Sequence, residues 1–351
     1  MNIRETFLKL TQFTYPHGTE AKLKPYLPNG FQEDDFGNYF IKIGESDTMF
    51  TCHLDTCSSH YQKVNHHIGS QFIQTDGKTI LGADDKAGMT VLLYMIENEV
   101  PGLYYFFIGE EVGGIGSSAA SCMSFSDYNK CISFDRRGYD SVITEQWFGK
   151  CCSDEFAKAL AQELNTKHLT FNFRPDPTGI FTDSASFMND IPECTNISVG
   201  YFSEHQVTER QDINFLIRLC EAAIKVDWDS LPVMRDPNER YSSWESERRT
   251  GTASELSATI NVWIDEEKWS AKLTNERIVE ERSHIYSWVF RQGSYFDLES
   301  VDWDGKTSSH IPPRNISPSL NLMPLSPSQS CISLLYCLCP HCPLCPIFPQ
   351  A

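Results

Sequence analysis

Residues 103–108, Leu-Tyr-Tyr-Phe-Phe-Ile, form an unbroken apolar run that is too short for an ordinary helix. A run of this kind suits a strand buried on both faces, as in a parallel sheet covered by helices on each side. Its surroundings support that reading. Helical spacing of apolar residues occurs at 3–13, 20–27, 85–98, 153–164 and 211–226, and strand-like runs occur at 38–43, 48–53, 130–134, 141–144 and 196–199. Alternating elements of this type predict an α/β fold of three layers, α/β/α, around a mainly parallel central sheet. In such sheets, sites form at the carboxyl ends of the strands.

The pattern predicts one catalytic-sized domain over residues 1–228. Residues 229–253 are polar and read as a linker. Residues 254–310, which contain Trp263, Trp269, Trp288 and Trp303, read as a small accessory region. Residues 311–351, dominated by Pro, Ser and Cys, are expected to lack a packed core. No internal repeat is found.

A net charge of -18 argues against a nucleic-acid partner, because phosphate binding needs clustered Lys and Arg. No run of about eighteen apolar residues occurs, which argues against a membrane span. Residues 1–9 lack the apolar block of a secretory signal, so a cytoplasmic location is expected. Eight cysteines scattered between Cys52 and Cys220 lack framework spacing and fit reduced thiols.

Five short motifs carry chemistry. His53-Leu54-Asp55-Thr56 follows an apolar strand, so Asp55 is placed to hold the second ring nitrogen of a metal-binding His53. Asp84-Asp85 follows Gly82-Ala83 at a helix start, where a carboxylate can cap the helix or bridge two cations through its two oxygens. Gly88 in the same motif would let the helix approach the sheet closely. Glu110-Glu111 ends the buried strand, and adjacent carboxylates there are costly unless a metal or a proton neutralises them. The natural division gives Glu111 to the metal. Glu110 would take a proton from the attacking water and return it to the leaving amine. Asp135 ends another strand and His205 follows a further one. Singly, each has an ordinary structural explanation. Together they occur in the order His, Asp, Glu-Glu, Asp, His along one rim, and this donor mix suits zinc, with cobalt or manganese as substitutes.

The ordered set resembles the co-catalytic zinc peptidases that include peptidase T, glutamate carboxypeptidases and single-domain zinc aminopeptidases. Residues 53–56 and 81–88 are most similar to peptidase T, and Asp34-Asp35-Phe36-Gly37-Asn38 resembles the turn before the ligand strand in those families. The resemblance covers residues 1–228. It implies two divalent metal ions bridged by Asp84, with His53 and Asp135 completing one site and Glu111 and His205 the other. Glu110 would then be the general acid/base and Asp55 the partner of His53. The resemblance also implies a cis peptide bond after Asp84.

One departure stands out. Only 69 residues separate Asp135 from His205, too few for an inserted lid domain. The expected layout is therefore lidless, closer to the single-domain aminopeptidases, and Asp183 is a candidate to hold a substrate amine. Its alternative role is a helix N-cap. The expected reaction is hydrolysis of a peptide bond near a free terminus, by an aminopeptidase or a di/tripeptidase. Alternatives are hydrolysis of an N-acyl amino acid, or a non-catalytic binding protein on the same fold. The partner is a peptide or small amide, and the sequence leaves the oligomeric state open. Cys337, Cys339, Cys342 and Cys345, with His341 among them, read either as a separate zinc site or as part of an unstructured tail.

Overall fold

The structure is a computed structural model that describes residues 1–146, 149–237, 258–264 and 267–273. The chain divides into two compact units, Met1–Tyr241 and Ser242–Ala351. The first unit opens with α1 (Ile3–Leu10), β1 (Gln32–Glu33), β2 (Tyr39–Ile43), β3 (Thr48–His53), β4 (His66–Ile68) and β5 (Phe72–Thr75). It continues through α2 (Ala83–Glu97), β6 (Gly102–Phe107), α3 (Ile115–Ala120), β7 (Lys130–Arg136), β8 (Ser141–Ile143), β9 (Glu145–Gln146) and β10 (Gly149–Lys150). It closes with α4 (Asp154–Lys167), β11 (Arg174–Asp176), β12 (Glu193–Ser198), β13 (Tyr201–Phe202), β14 (Arg210–Asp212) and α5 (Ile213–Ala223). Of the second unit, only the antiparallel pair β15 (Ala258–Ile264) and β16 (Glu267–Leu273) is described.

The main sheet has eight strands in the order β1-β2-β6-β3-β7-β12-β8-β11. Its centre, β6-β3-β7-β12, is parallel throughout, so the carboxyl ends of these four strands share one rim. Register pairs His53 with Phe107, which aligns the end of the first ligand strand with the end of the apolar run. β3 and β6 are buried at every position, as the unbroken apolar run requires.

The two faces are filled by different elements. On one, Phe50, Tyr104 and Phe134 pack against Trp228 and helix α2. On the other, Tyr105, Phe107 and Ser133 meet Phe125 and the 3-10 turn Asp183–Phe187. This gives the expected three layers. A second sheet, β13-β14-β5-β4, is antiparallel and was not foreseen, because its strands are only two to four residues long. Residues 20–26 form a 3-10 helix containing Pro25, not the expected α-helix. Proline removes a backbone donor and disfavours the continuing α turn.

The expected linker begins too early at residue 229. Leu231 is buried, and the carboxylate of Glu193 accepts the backbone N–H groups of Met234 (2.7 Å) and Arg235 (3.0 Å). The Arg235 guanidinium donates to the carbonyls of Met188 and Ile191, both at 2.7 Å. A buried carboxylate needs these donors, so residues 229–235 pack as part of the first unit. Residues 238–253 lie outside the described residues. So do most of the accessory region, the 311–351 tail and its Cys337–Cys345 cluster. The interval from Asp135 to His205 contains β8, α4, β11 and β12 of the main fold, which leaves no room for an inserted lid. Among the described residues, no helix is long and apolar enough to cross a membrane.

Candidate metal centre

Five predicted donors converge where the parallel strands end. His53 is the last residue of β3, Asp135 lies near the end of β7, and Glu111 follows β6. Asp84 enters from the start of α2, and His205 follows β13. His53 Nε2 lies 3.0 Å from Asp84 Oδ1 and 3.6 Å from Asp135 Oδ1. His205 Nε2 lies 3.1 Å from Asp84 Oδ2 and 3.0 Å from Glu111 Oε2. Asp84 thus offers one oxygen to each histidine. Two donors about 2.0–2.1 Å from a tetrahedral zinc ion are roughly 3.3 Å apart, so these separations suit a shared cation.

The electrostatics agree with that reading. Burial raises the pKa of Glu111, and burial together with the charge of Asp84 pushes Asp135 up to about 6. Burial opposes ionisation of Asp84, but His205 and His53 outweigh it and hold its pKa below the usual range. Burial likewise opposes a charge on His53, yet Asp135, Asp55 and Asp84 more than offset it. Hydrogen bonds to Asp84 and Glu111 push His205 up to about 11. Protons on the two rings therefore stand where divalent cations would compensate the same carboxylates.

The chain fixes His53, Asp84, Glu111 and Asp135 from behind. Asp55 Oδ1 accepts the N–H of Glu110 (3.0 Å) and Oδ2 that of Glu111 (3.1 Å), so one buried carboxylate aims the whole Glu-Glu turn. Its Oδ1 stands 3.4 Å from His53 Nδ1 without a hydrogen bond of regular geometry. The Asp84-Asp85 peptide bond is cis. Asp85 turns inward, where its oxygens accept Gly88 N–H (2.9 Å) and His53 N–H (3.3 Å). Lys86 is wholly buried and donates to the carbonyl of Leu54 at 2.6 Å, and burial lowers its pKa. Gly88 confirms the expected close approach: a Cβ there would lie 2.0 Å from the Phe134 carbonyl oxygen. Asn38, fully buried after the Asp34–Asn38 turn, accepts Ile108 N–H and donates to Gly116 O, tying that turn to the Glu-Glu loop.

Four positioning residues escaped the sequence reading. Glu209, wholly buried, accepts the N–H groups of Leu81 (2.8 Å), Gly82 (2.8 Å) and Asp84 (3.0 Å). Thr182 donates to Asp135 Oδ2 at 2.6 Å, Tyr201 to Asp135 Oδ1 at 3.1 Å, and Asn196 Oδ1 accepts Asp135 N–H at 2.8 Å. Only the spacing Glu204-His205-x-x-x-Glu209 hinted at the first, and nothing local marks the others.

Glu110 lines a cavity of about 230 Å³ with Asp84, Asp135 and His205. The lining also includes Arg136, Arg137, Gln146, Phe181 and Glu204. Burial raises the pKa of Glu110 well above the carboxylate range. Asp183 does not line this cavity. It is buried at the start of the 3-10 turn, and neither oxygen has a hydrogen bond of regular geometry, although Ser117 is beside it. Nor does its side chain cap the turn. The position expected to hold a substrate amine is thus buried and outside the lining of this cavity.

No protein-family model matches the chain. The uncharacterized protein YqjE of Bacillus subtilis is 34% identical over 181 residues, which cover 44% of this chain and 48% of that protein. The chain therefore spans about half the length of that relative. Peptidase T of Streptococcus equi subsp. equi is 37% identical over 57 residues, covering 16% of this chain and 12% of that one. Among solved structures, the aminopeptidase PepT of Bacillus cereus superposes with a TM-score of 0.54 at 15% identity. That superposition covers 63% of this chain and 96% of the other, and it shows the fold. In its ordered motifs and in its fold, this chain resembles the zinc peptidase superfamily that includes peptidase T.

Proposed function

We propose that the protein is a dinuclear metal-dependent peptidase that hydrolyses peptide bonds near a free terminus, as an aminopeptidase or a di/tripeptidase. The observation that carries this reading is Asp84, whose two oxygens face His53 and His205 at 3.0 and 3.1 Å. A carboxylate so placed is suited to joining two cations. His53 and Asp135 would hold one ion, Glu111 and His205 the other, and the imidazole and carboxylate donors favour zinc, cobalt or manganese. Ions there supply Lewis acidity, which polarises a carbonyl and lowers the pKa of an attacking water.

The chain's own residues carry the proton and the geometry. Glu110 sits on the cavity wall beside Asp84 and Asp135, where it would take a proton from the water and pass it to the departing amine. Asp55 holds the backbone of Glu110 and Glu111 together, which couples the base to the ligand beside it. Glu209 holds Asp84 at the junction of the two sites.

A second reading is hydrolysis of N-acyl amino acids by the same residues, with Arg136 and Arg137 on the cavity wall leaving Thr178 and Glu204 to meet the substrate carboxylate. The deciding experiment is a screen on zinc-loaded protein. It compares short peptides with free amines, the same peptides blocked, and acyl amino acids. Turnover of free-amine peptides is expected, and turnover of acyl amino acids alone favours the second reading. Glu110→Ala should keep both metal equivalents while turnover falls by about 10²–10⁴-fold. Near-normal turnover in that variant refutes the role of Glu110. Fewer than one bound ion per chain after zinc loading favours a non-catalytic protein.

A further inference from the structure

A side chain of a type that can bind metal, Cys57, lies beside the centre and has no part in the proposed function. Cys57 directly follows the His53–Thr56 motif and is exposed, whereas six of the other described cysteines lie in the interior. Its thiol, an oxygen of Glu111 and a ring nitrogen of His205 all lie within 4.8 Å of one another. Its position is held on both sides. Thr56 exchanges backbone and side-chain hydrogen bonds with Tyr15, both at 2.8 Å, and Cys57 N–H donates to Glu111 Oε1 at 3.1 Å. That bond occupies one oxygen of Glu111 and leaves Oε2 toward His205, at 3.0 Å.

We propose that Cys57 is a thiolate ligand of the metal position formed by Glu111 and His205. The proposal rests on the metal-centre reading. With Asp84 Oδ2, the position then has one sulfur, one nitrogen and two oxygen donors, which is the four-coordinate number zinc prefers. On coordination the thiol gives up its proton to solvent and a metal–sulfur bond forms, with no change of oxidation state. Sulfur also selects among cations. A site that includes thiolate favours zinc or cobalt over magnesium, calcium and manganese. Closure by four protein donors makes the two positions unequal, because closed sites are structural and open ones catalytic. The open coordination place then falls to the ion held by His53 and Asp135. Alkylation of Cys57 would reopen the second position.

The test is cobalt titration of the full chain and of Cys57→Ser, together with iodoacetamide labelling of the wild type. Thiolate-to-cobalt charge transfer in the near ultraviolet should rise in the wild type by more than in Cys57→Ser. Any contribution from the cysteines at 331–345 is common to both proteins and cancels. Loss of an outer partner already weakens metal binding about tenfold or more, so one of two cobalt equivalents should weaken at least that much in Cys57→Ser. Labelling of Cys57, read at the peptide level, should slow on metal loading and recover with chelator. Identical absorbance in the two proteins, or unslowed labelling with two equivalents bound, overturns the thiolate ligand and leaves the metal centre standing. Failure of the wild type to bind cobalt overturns both.

Discussion

Replacing Glu209 tests whether Asp84, the residue proposed to join two cations, is held by one buried carboxylate. In the native fold its Oε2 accepts Leu81 and Gly82 N–H and its Oε1 accepts Asp84 N–H. Glu209→Ala leaves three buried donors without a protein partner. A buried unsatisfied donor costs about 1–3 kcal/mol, so the loss is about 3 kcal/mol at the low end. That is a large share of a domain stability of about 5–15 kcal/mol. Glu209→Gln is milder. Its amide oxygen replaces Oε2 and keeps two bonds, while its NH₂ faces Asp84 N–H, donor against donor, for about 1–3 kcal/mol. Urea unfolding of metal-free protein at about pH 5 measures both, since burial pushes Glu209 up to about 7 and the wild type there avoids the desolvation cost of the ionised form, which both variants lack. Stability should follow wild type, then Gln, then Ala. Asp84 faces both histidines, so both metal equivalents should weaken together in the alanine variant. An alanine variant within about 0.5 kcal/mol of wild type, the range of an ordinary surface change, refutes the reasoning. So does weakening of only one equivalent.

Metal-free protein should lose stability as pH rises between about 4 and about 7. Burial raises Asp135 to about 6 and Asp183 and Glu209 to about 7, so the native state keeps protons that the unfolded chain has released. Raised groups contribute fully below their unfolded pKa and lose that contribution as pH passes the folded value. Asp84, lowered, acts in the opposite sense only as pH falls below its ordinary value of 3.8. Thermal unfolding with zinc and with chelator should therefore diverge as pH rises, and parallel curves would refute this. Gly88→Ala places a methyl group 2.0 Å from Phe134 O and 2.6 Å from both Asp85 oxygens. Overpacking of this kind costs about 1–3 kcal/mol, and an unchanged urea midpoint would contradict the close approach. Asp183→Asn removes a buried ionisable group, so stability at about pH 8 should hold or rise and KM for free-amine peptides should stay within about twofold. A tenfold rise in KM would restore Asp183 as an amine-binding residue.

Strand β3 matches its expected range, 48–53, and β6 lies within one residue of its own, because both are short strand-forming runs, β6 almost wholly apolar and β3 mixing Met, Phe and Cys with Thr. Such runs are local, and burial on both faces follows from them. Helix α1 ends at Leu10, short of the expected residue 13, with Phe13 pairing to Lys63 instead. The small sheet stayed hidden because its strands are short and half-exposed, as in Phe72–Thr75. Asp183 is buried outside the cavity lining, and no local pattern says whether a side chain faces a cavity or lies away from it.

The sequence by itself determined which donors exist, in what order, and that they end neighbouring strands, since each motif spans only a few residues. Tertiary structure decided their orientation. It turned one oxygen of Asp84 to His53 and the other to His205, and it set Asp55 beneath the Glu-Glu turn rather than in regular hydrogen bonding with the His53 ring. It brought Glu209 to Leu81 across 128 residues of chain, and Tyr201 to Asp135 across 66. The physical reason is range. Apolar periodicity and strand ends depend on near neighbours, whereas the direction of a carboxylate depends on donors that only the closed fold delivers.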